Sequence, residues 1–375
     1  MMLQFEIIHR SKRSQARVGR IHTPHGIIQT PGFVPVATNA TLKAVDNKML
    51  TDVFDGLVFC NTYHLALHPG ADVVADAGGL HSFMGRDKPI ITDSGGFQVF
   101  SLAYGSVASE LKSSGTKKQQ NAVLKINEDG VLFRSYRDGS LVHFSPESSV
   151  HLQKKLGADI IIPFDELPPY HIKYNSLKDS LARTHRWQKR SLDTHLSDRR
   201  KQSMYAVVHG GVDSELRKQS AKFLRELDFD GFAIGGSLGK ETADISKVLT
   251  YTMPHLCTNT PKHLLGIADI PGITSGVGFG IDTFDSCYPM RLARHGVLLL
   301  PSGRLKITSG QFKKDYAPID ASCPCYTCKH YSRAYLHHLF KAHEPCALQL
   351  ASIHNVVAMD RIMQKIRLDI MADLI

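Results

Sequence analysis

Six times along the chain a short apolar segment runs into an acid or a pair of glycines and is followed by a stretch of helical pattern. The six segment ends are Ile90-Ile-Thr-Asp93-Ser-Gly-Gly-Phe97, Ile160-Ile-Ile-Pro-Phe-Asp165-Glu166, Ala206-Val-Val-His209-Gly-Gly211, Gly231-Phe-Ala-Ile-Gly235-Gly236, Leu264-Leu-Gly266-Ile-Ala-Asp269 and Gly280-Ile-Asp282-Thr-Phe-Asp285-Ser286. Strands that alternate with helices form a parallel sheet, because a parallel neighbour is reached only through a crossover. An open doubly wound sheet gathers its chemistry at one switch point, whereas a closed (β/α)8 barrel brings every carboxyl strand end to one mouth. Decorated ends on six strands fit the barrel, an α/β fold of TIM type. Fewer than eight repeats are explicit, so the N-terminal segment and the region from Asn61 to Arg86 are expected to hold the rest.

The punctuation of the helices supports this reading. Ser145 can cap a helix that starts at Pro146-Glu147 and is closed by Gly157, and Asp213 can cap one that runs to Leu227. Ahead of the barrel, Phe5 to His9, Ala16 to His22 and Gly26 to Val36 read as paired strands. The expected organisation is an antiparallel cap over residues 1–40, the barrel over 41–310 and a metal-binding helical subdomain over 311–375. The polar stretch from Lys112 to Asn121 reads as one exposed loop.

A chain of 375 residues that is 42% hydrophobic can bury a large core. Its 45 Lys and Arg against 35 Asp and Glu give a net charge of +10, which favours a polyanionic partner, although no basic tail concentrates it. No signal-peptide core follows Met1. The longest apolar runs, Asp159 to Pro163 and Gly296 to Pro301, are too short to span a bilayer, so a cytoplasmic protein without a membrane partner is expected.

Three of the seven cysteines crowd into Cys323-Pro-Cys325-Tyr-Thr-Cys328. That spacing suits three corners of a zinc tetrahedron better than a disulfide framework, and it fits a reducing compartment. By spacing alone the fourth ligand is open among His330, His337, His338, His343, Cys346 and His354. Apolar periodicity from Ala347 to Leu374 puts His354 on a long final helix able to pack back over the cysteine loop.

Asp93 and Asp285 each end a strand and are followed by small residues, so their carboxyls can project into the mouth. A single aspartate there can equally cap the next helix; several at separate strand ends weaken that reading. Two carboxylates facing one sugar suit glycosyl chemistry, one attacking the anomeric carbon while the other manages the leaving group's proton. A metal-dependent barrel hydrolase would favour paired histidines at a strand end, and the chain has no His-x-His.

In this order Asp93-Ser-Gly-Gly-Phe-Gln98, Phe164-Asp165-Glu166, Gly280-Ile-Asp-Thr-Phe-Asp285, Arg291-Leu-Ala-Arg294 and the cysteine cluster resemble the tRNA-guanine transglycosylase (queuine tRNA-ribosyltransferase) family, over almost the whole chain. The resemblance implies exchange of the wobble guanine in a tRNA anticodon stem-loop for a 7-deazaguanine base. Asp285 would be the nucleophile on ribose C1′ and Asp93 the general acid/base. Ser94, Gly95, Gly96, Phe97, Asp165, His209 and Gly236 would form the base pocket, with Phe97 stacking. Gly266, Asp269, Gly272, Arg291 and Arg294 would touch RNA. Cys323, Cys325, Cys328 and His354 would hold one structural zinc ion, with no organic cofactor, and the protein would be a homodimer.

Some positions depart from the family's bacterial pattern. Leu167 stands for a usual Cys and His209 for Gln. Gly235-Gly-Ser-Leu-Gly-Lys240 is one residue shorter than Gly-Gly-Leu-x-Val-Gly-Glu, so Ser237 and Lys240 are both unusual; Ser286 and Met290 replace Cys and Thr. These departures are expected around the 7-substituent of the base. Loss of a valine and of an acid there favours queuine over 7-aminomethyl-7-deazaguanine, whose ammonium Lys240 would repel. Two other functions compete: a non-catalytic RNA-binding zinc subunit, disfavoured by retention of both aspartates, and a barrel nucleoside glycosidase, which leaves the arginines and the zinc lobe unexplained.

Overall fold

In the computed structural model, which describes residues 3–98, 123–239 and 241–375, the predicted barrel is present. Its strands are Gly32–Pro35, Val58–Cys60, Ile90–Thr92, Ile160–Ile161, Ser203–Val208, Gly231–Ile234, Lys262–Leu264 and Thr283–Ser286, and from the second to the eighth each is hydrogen-bonded to the next. The last strand pairs in parallel with the first. A parallel bridge between Val36 and Phe59, with the Ala37 N–H donating to the Phe59 carbonyl at 2.7 Å, closes the ring. Val34, Phe59, Ile91, Ile160, Ile162, Tyr205, Val207 and Ala233 fill the interior, and Ile21 and Ile28 of the cap join them.

All six segments recognised in the sequence are barrel strands; of the two hidden ones, the first lies in the N-terminal segment as expected and the second falls just ahead of the region from Asn61 to Arg86. The run from Gly26 to Val36 is two elements, not one. Gly26–Thr30 completes the antiparallel cap with Gln4–Arg10 and Arg17–Thr23, and Gly32–Pro35 opens the barrel. Pro31, which has no N–H to give a ladder, separates them. The other strand, Val58–Cys60, lies just ahead of Asn61 to Arg86, which forms three short helices, Thr62–Leu67, Ala71–Asp76 and Leu80–Met84.

The caps act as read. Ser145 Oγ accepts from the Ser148 N–H at 3.1 Å at the head of Pro146–Leu156, and Gly157 closes that helix at φ +74°. Asp213 caps Ser214–Arg225 through the Leu216 N–H at 2.9 Å. Between the third and fourth barrel strands an unforeseen antiparallel sheet, Val123–Ile126, Val131–Arg134 and Leu141–Phe144, packs on Tyr63, Phe164 and Trp187. The loop expected at Lys112 to Asn121 lies outside the described residues.

At the amino end of the barrel, cap and strands are tied by charge. Arg17 lies flat against Asp282, with Nε to Oδ1 at 2.9 Å and Nη2 to Oδ2 at 2.6 Å, both side chains buried. Asp282 also takes the Lys262 N–H at 2.7 Å. The first aspartate of Gly-Ile-Asp-Thr-Phe-Asp is therefore a structural anchor at the far end of its strand from Asp285. His25 of the cap and His81 both bond to buried Asp159, at 2.7 and 3.2 Å, and clamp the same end.

After the barrel come the hairpin Val297–Leu300/Gly303–Lys306, the helices Tyr326–His330 and Arg333–Lys341, and a final helix, Pro345–Met371. That helix is a strap. Ala347, Leu350 and Ala351 pack on the cysteine loop, while Met359, Met363, Ile366 and Ile370 pack in the barrel's main core. It is also the longest helix described, and no described helix is long and apolar enough to cross a membrane.

Candidate active site

Asp93 and Asp285 stand at the carboxyl ends of the third and eighth strands, and in a barrel of parallel strands those ends share one mouth. Both are more than nine-tenths buried. Their surroundings differ. Asp93 Oδ2 accepts from Asn61 Nδ2 at 2.6 Å and from Gln98 Nε2 at 2.9 Å, and Oδ1 accepts from the Thr62 N–H at 2.7 Å. Burial pushes its carboxyl up to about 6, against the opposing pull of these three donors and with help from the nearby charge of Asp165.

Asp285 is held through one oxygen. Oδ1 accepts from the Gly266 N–H at 2.8 Å and lies 3.0 Å from His263 Nε2; among the described residues both bonds fall on Oδ1, so Oδ2 is the oxygen left for chemistry. His263 is wholly buried and its Nδ1 lies 2.8 Å from the Thr283 hydroxyl.

Beside Asp93 lies a second polar group. Asp165 Oδ1 accepts from Ser94 Oγ at 2.9 Å, and Asp165 Oδ2 lies 2.8 Å from His209 Nε2. Gly96 is required here, because a Cβ would fall 2.4 Å from the Asp165 carbonyl oxygen. Gly236, at φ +76°, leaves room for the ring of His209, whose buried Nδ1 has no partner among the described residues. Gly95 turns at φ +88°, and Phe97, 48% exposed, leaves its ring open to a flat ligand. A cavity of about 300 Å³ adjoins this group, lined by His209, Gly236, Ser237, Ser180, Tyr170 and Leu177 among others.

The remaining expected contacts spread around the mouth. Gly266 is exposed, yet its N–H is turned to Asp285. Asp269 stands at the cap position of Ile270–Gly278, and Gly272 is buried within that helix, where a Cβ would meet Ile267 at 2.5 Å. Arg291 and Arg294 lie on the helix Tyr288–Arg294 that follows the eighth strand; Arg291 is exposed, and Arg294 donates to the Met290 carbonyl at 3.1 Å. The departures from the family pattern do not all gather at the pocket. His209 and Ser237 line the cavity, Ser286 binds the Tyr288 N–H, and Lys240 lies outside the described residues. Met290 is in the core against Ile353 and Val356, so its replacement concerns packing and not the base.

Asn61, Thr62, Gln98, His263 and Thr283 were missed as site residues. Gln98 sits within a recognised motif, and Asn61-Thr62 follows a strand too short to be read. His263 carries only the signal of a lone histidine in an apolar strand.

On the far side of the final helix, Cys323, Cys325, Cys328 and His354 are buried together with their ligand atoms within 4.8 Å of one another. His354 Nδ1 lies 3.8, 3.6 and 3.3 Å from the three sulfurs in chain order. Ligands at zinc distances of about 2.3 Å (S) and about 2.0 Å (N) on a tetrahedron are separated by about 3.6 Å, so the set fits a metal. His354 Nε2 lies 2.8 Å from the Leu299 carbonyl, which fixes the ring with Nδ1 free to ligate. Of the six candidates for the fourth ligand, the structure brings in His354.

The pattern of the queuine tRNA-ribosyltransferase family matches residues 12–374. The chain is 61% identical over 372 residues to a protein of Protochlamydia amoebophila named queuine tRNA-ribosyltransferase, covering 99% of this chain and 96% of the relative. Proteins of the same name from Chlamydia muridarum and Chlamydia trachomatis are 56% and 55% identical over 375 residues, the whole of each chain.

Proposed function

The chain belongs to the queuine tRNA-ribosyltransferase family, and we propose that it is a tRNA-guanine transglycosylase, exchanging guanine at the anticodon wobble position for a 7-deazaguanine base by double displacement. The observation that carries the mechanism is the unequal setting of two strand-end carboxyls: among the described residues Asp285 is bonded on one oxygen only, and Asp93 is raised to about 6.

In this reading Asp285 Oδ2 attacks ribose C1′ and the C1′–N9 bond breaks. The departing guanine keeps the electron pair and takes the proton of Asp93. The incoming base returns a proton to Asp93, and its N9 attacks C1′ as the C1′–Oδ2 bond opens. Two inversions retain the configuration. An acid near 6 can both give and take a proton close to neutral pH. The deep burial of both carboxyls keeps water from the ester. Ser94, Gly95, Gly96, Phe97, Asp165, His209 and Gly236 make the base pocket in this account. The loop from Gly266 through Asp269, with Gly272 behind it, and Arg291 and Arg294 face the RNA, whose unpaired anticodon lets a base leave its stack at small cost.

The cavity beside His209, Gly236 and Ser237 supports queuine, the bulkier base, as the preferred substrate. Cys323, Cys325, Cys328 and His354 hold one structural zinc ion, which closes the C-terminal lobe. The protein acts in the cytoplasm, where its seven cysteines stay out of disulfides, and as a homodimer.

Covalent trapping of an anticodon stem-loop RNA on the purified protein tests the proposal. Wild type should give a denaturation-resistant adduct and Asp285→Ala none; no adduct with wild type sinks the proposal. Competition between queuine and 7-aminomethyl-7-deazaguanine for guanine-loaded tRNA tests the base, and exclusive use of the aminomethyl base refutes queuine.

A further inference from the structure

We propose that His263 is a positioning residue for Asp285, donating from Nε2 to Oδ1 so that the carboxylate attacks through Oδ2 and leaves the sugar quickly in the second half of the reaction. The inference rests on the transglycosylase reading above.

The register of two neighbouring strands builds the arrangement. His263 pairs with Thr283, and Asp285, two residues on, falls on the same face of its strand as Thr283. The imidazole therefore spans from the Thr283 hydroxyl, 2.8 Å from Nδ1, to Asp285 Oδ1, 3.0 Å from Nε2. A carboxylate only accepts, so Nε2 carries the hydrogen; in the neutral ring Nδ1 then accepts from the Thr283 hydroxyl. Phe59 stacks beside the ring at 6.0 Å between centroids, and no part of His263 reaches solvent. With the Gly266 N–H at 2.8 Å, Oδ1 has two donors.

These donors act unequally on the two half-reactions. In the aspartyl-ribosyl ester Oδ2 is bonded to C1′ and Oδ1 is a neutral carbonyl oxygen. When the incoming base attacks, the C1′–Oδ2 bond breaks and its electron pair returns to the carboxylate, placing negative charge on Oδ1. Donors already in place stabilise the departing carboxylate more than the ester. Removing one should leave ester formation nearly intact and slow its resolution.

The experiment is a pulse and chase. Adduct formed on a stem-loop RNA is chased with excess base, and both rates are measured for wild type, His263→Phe, His263→Gln and Thr283→Val. His263→Phe keeps a flat ring without the donor; it should slow the chase on the order of 100-fold, change formation only a few-fold, and so raise the trapped fraction. His263→Gln, with an amide donor, should recover much of the chase rate. An unchanged chase in His263→Phe, or equal losses in formation and chase that His263→Gln does not relieve, overturns the proposal. If His263→Phe does not fold, Thr283→Val decides: it keeps the ring but not the partner on Nδ1, so a slower chase supports the proposal and an unchanged one overturns it. Absence of any wild-type adduct would condemn the transglycosylase reading instead, which separates the two failures.

Discussion

Asp93→Asn should stabilise the protein while nearly abolishing base exchange, because one burial underlies both properties. Burial lifts the Asp93 carboxyl from 3.8 to about 6. That difference of about two pH units corresponds to about 3 kcal/mol. The folded state holds this proton more tightly than the unfolded chain does. Stability is therefore lost as pH rises from about 4 to about 6, and the whole penalty stands at neutral pH. A neutral amide carries no such penalty. The lead of Asp93→Asn over wild type should thus grow by up to about 3 kcal/mol between about pH 4 and about pH 7. The pocket can accept the change, since Gln98 Oε1 has no partner among the described residues and a turn of that amide would offer it to the new NH2. Urea denaturation of both proteins across this range is the assay. In wild type, adduct formation should fall about tenfold per pH unit above about 6 as the acid form is lost, and in Asp93→Asn it should be about 10²- to 10⁴-fold lower with a flat profile. Parallel stability curves for the two proteins would refute a raised carboxyl, and with it the physical basis for Asp93 as the acid.

Three further outcomes are expected. Metal analysis should find one zinc per chain, and His354→Ala should lose it with a lower melting temperature and proteolytic opening of the C-terminal lobe, since the cluster shares its core with the final helix. Arg17→Met leaves Asp282 buried without its partner and should cost about 3–5 kcal/mol in denaturant titrations, with exchange per folded molecule unchanged. Arg291→Ala and Arg294→Ala should weaken RNA binding and lower its salt slope by about one per charge, without altering affinity for the free base.

Some of this was open to reading in the sequence because it depends on single residues at strand ends. Asp93, Asp165, His209, Gly236 and Asp285 each follow an apolar run, so periodicity and position both mark them. The strand Val58–Cys60 was not legible: three buried residues have no period to read. With it went Asn61 and Thr62, which bind Asp93 because that strand neighbours the third. His263 was lost for another reason, as its role depends on register with Thr283, a property of two strands together. The fourth member of the cysteine cluster was open by spacing, and the direction in which the final helix packs across the lobe is what brings in His354.

Asp93 and Asp285 are the same chemical group at the same end of one barrel; burial raises the Asp93 carboxyl against the pull of its donors, and the two sets of donors also differ in kind. Asp285 meets donors that cannot reverse: a backbone N–H from Gly266 and a ring nitrogen fixed by Thr283. Such a site fixes one carboxylate oxygen, Oδ1, with Oδ2 bonded to none of the described residues. Asp93 Oδ2 meets two side-chain amides, from Asn61 and Gln98. An amide presents a donor or an acceptor by turning over, so the same two side chains can serve the carboxylate and the carboxylic acid in turn. Gln98 Oε1, without a partner among the described residues, is the acceptor the protonated form needs. A site built this way can return a proton to the next base without rearranging its backbone, as an exchange of one base for another requires.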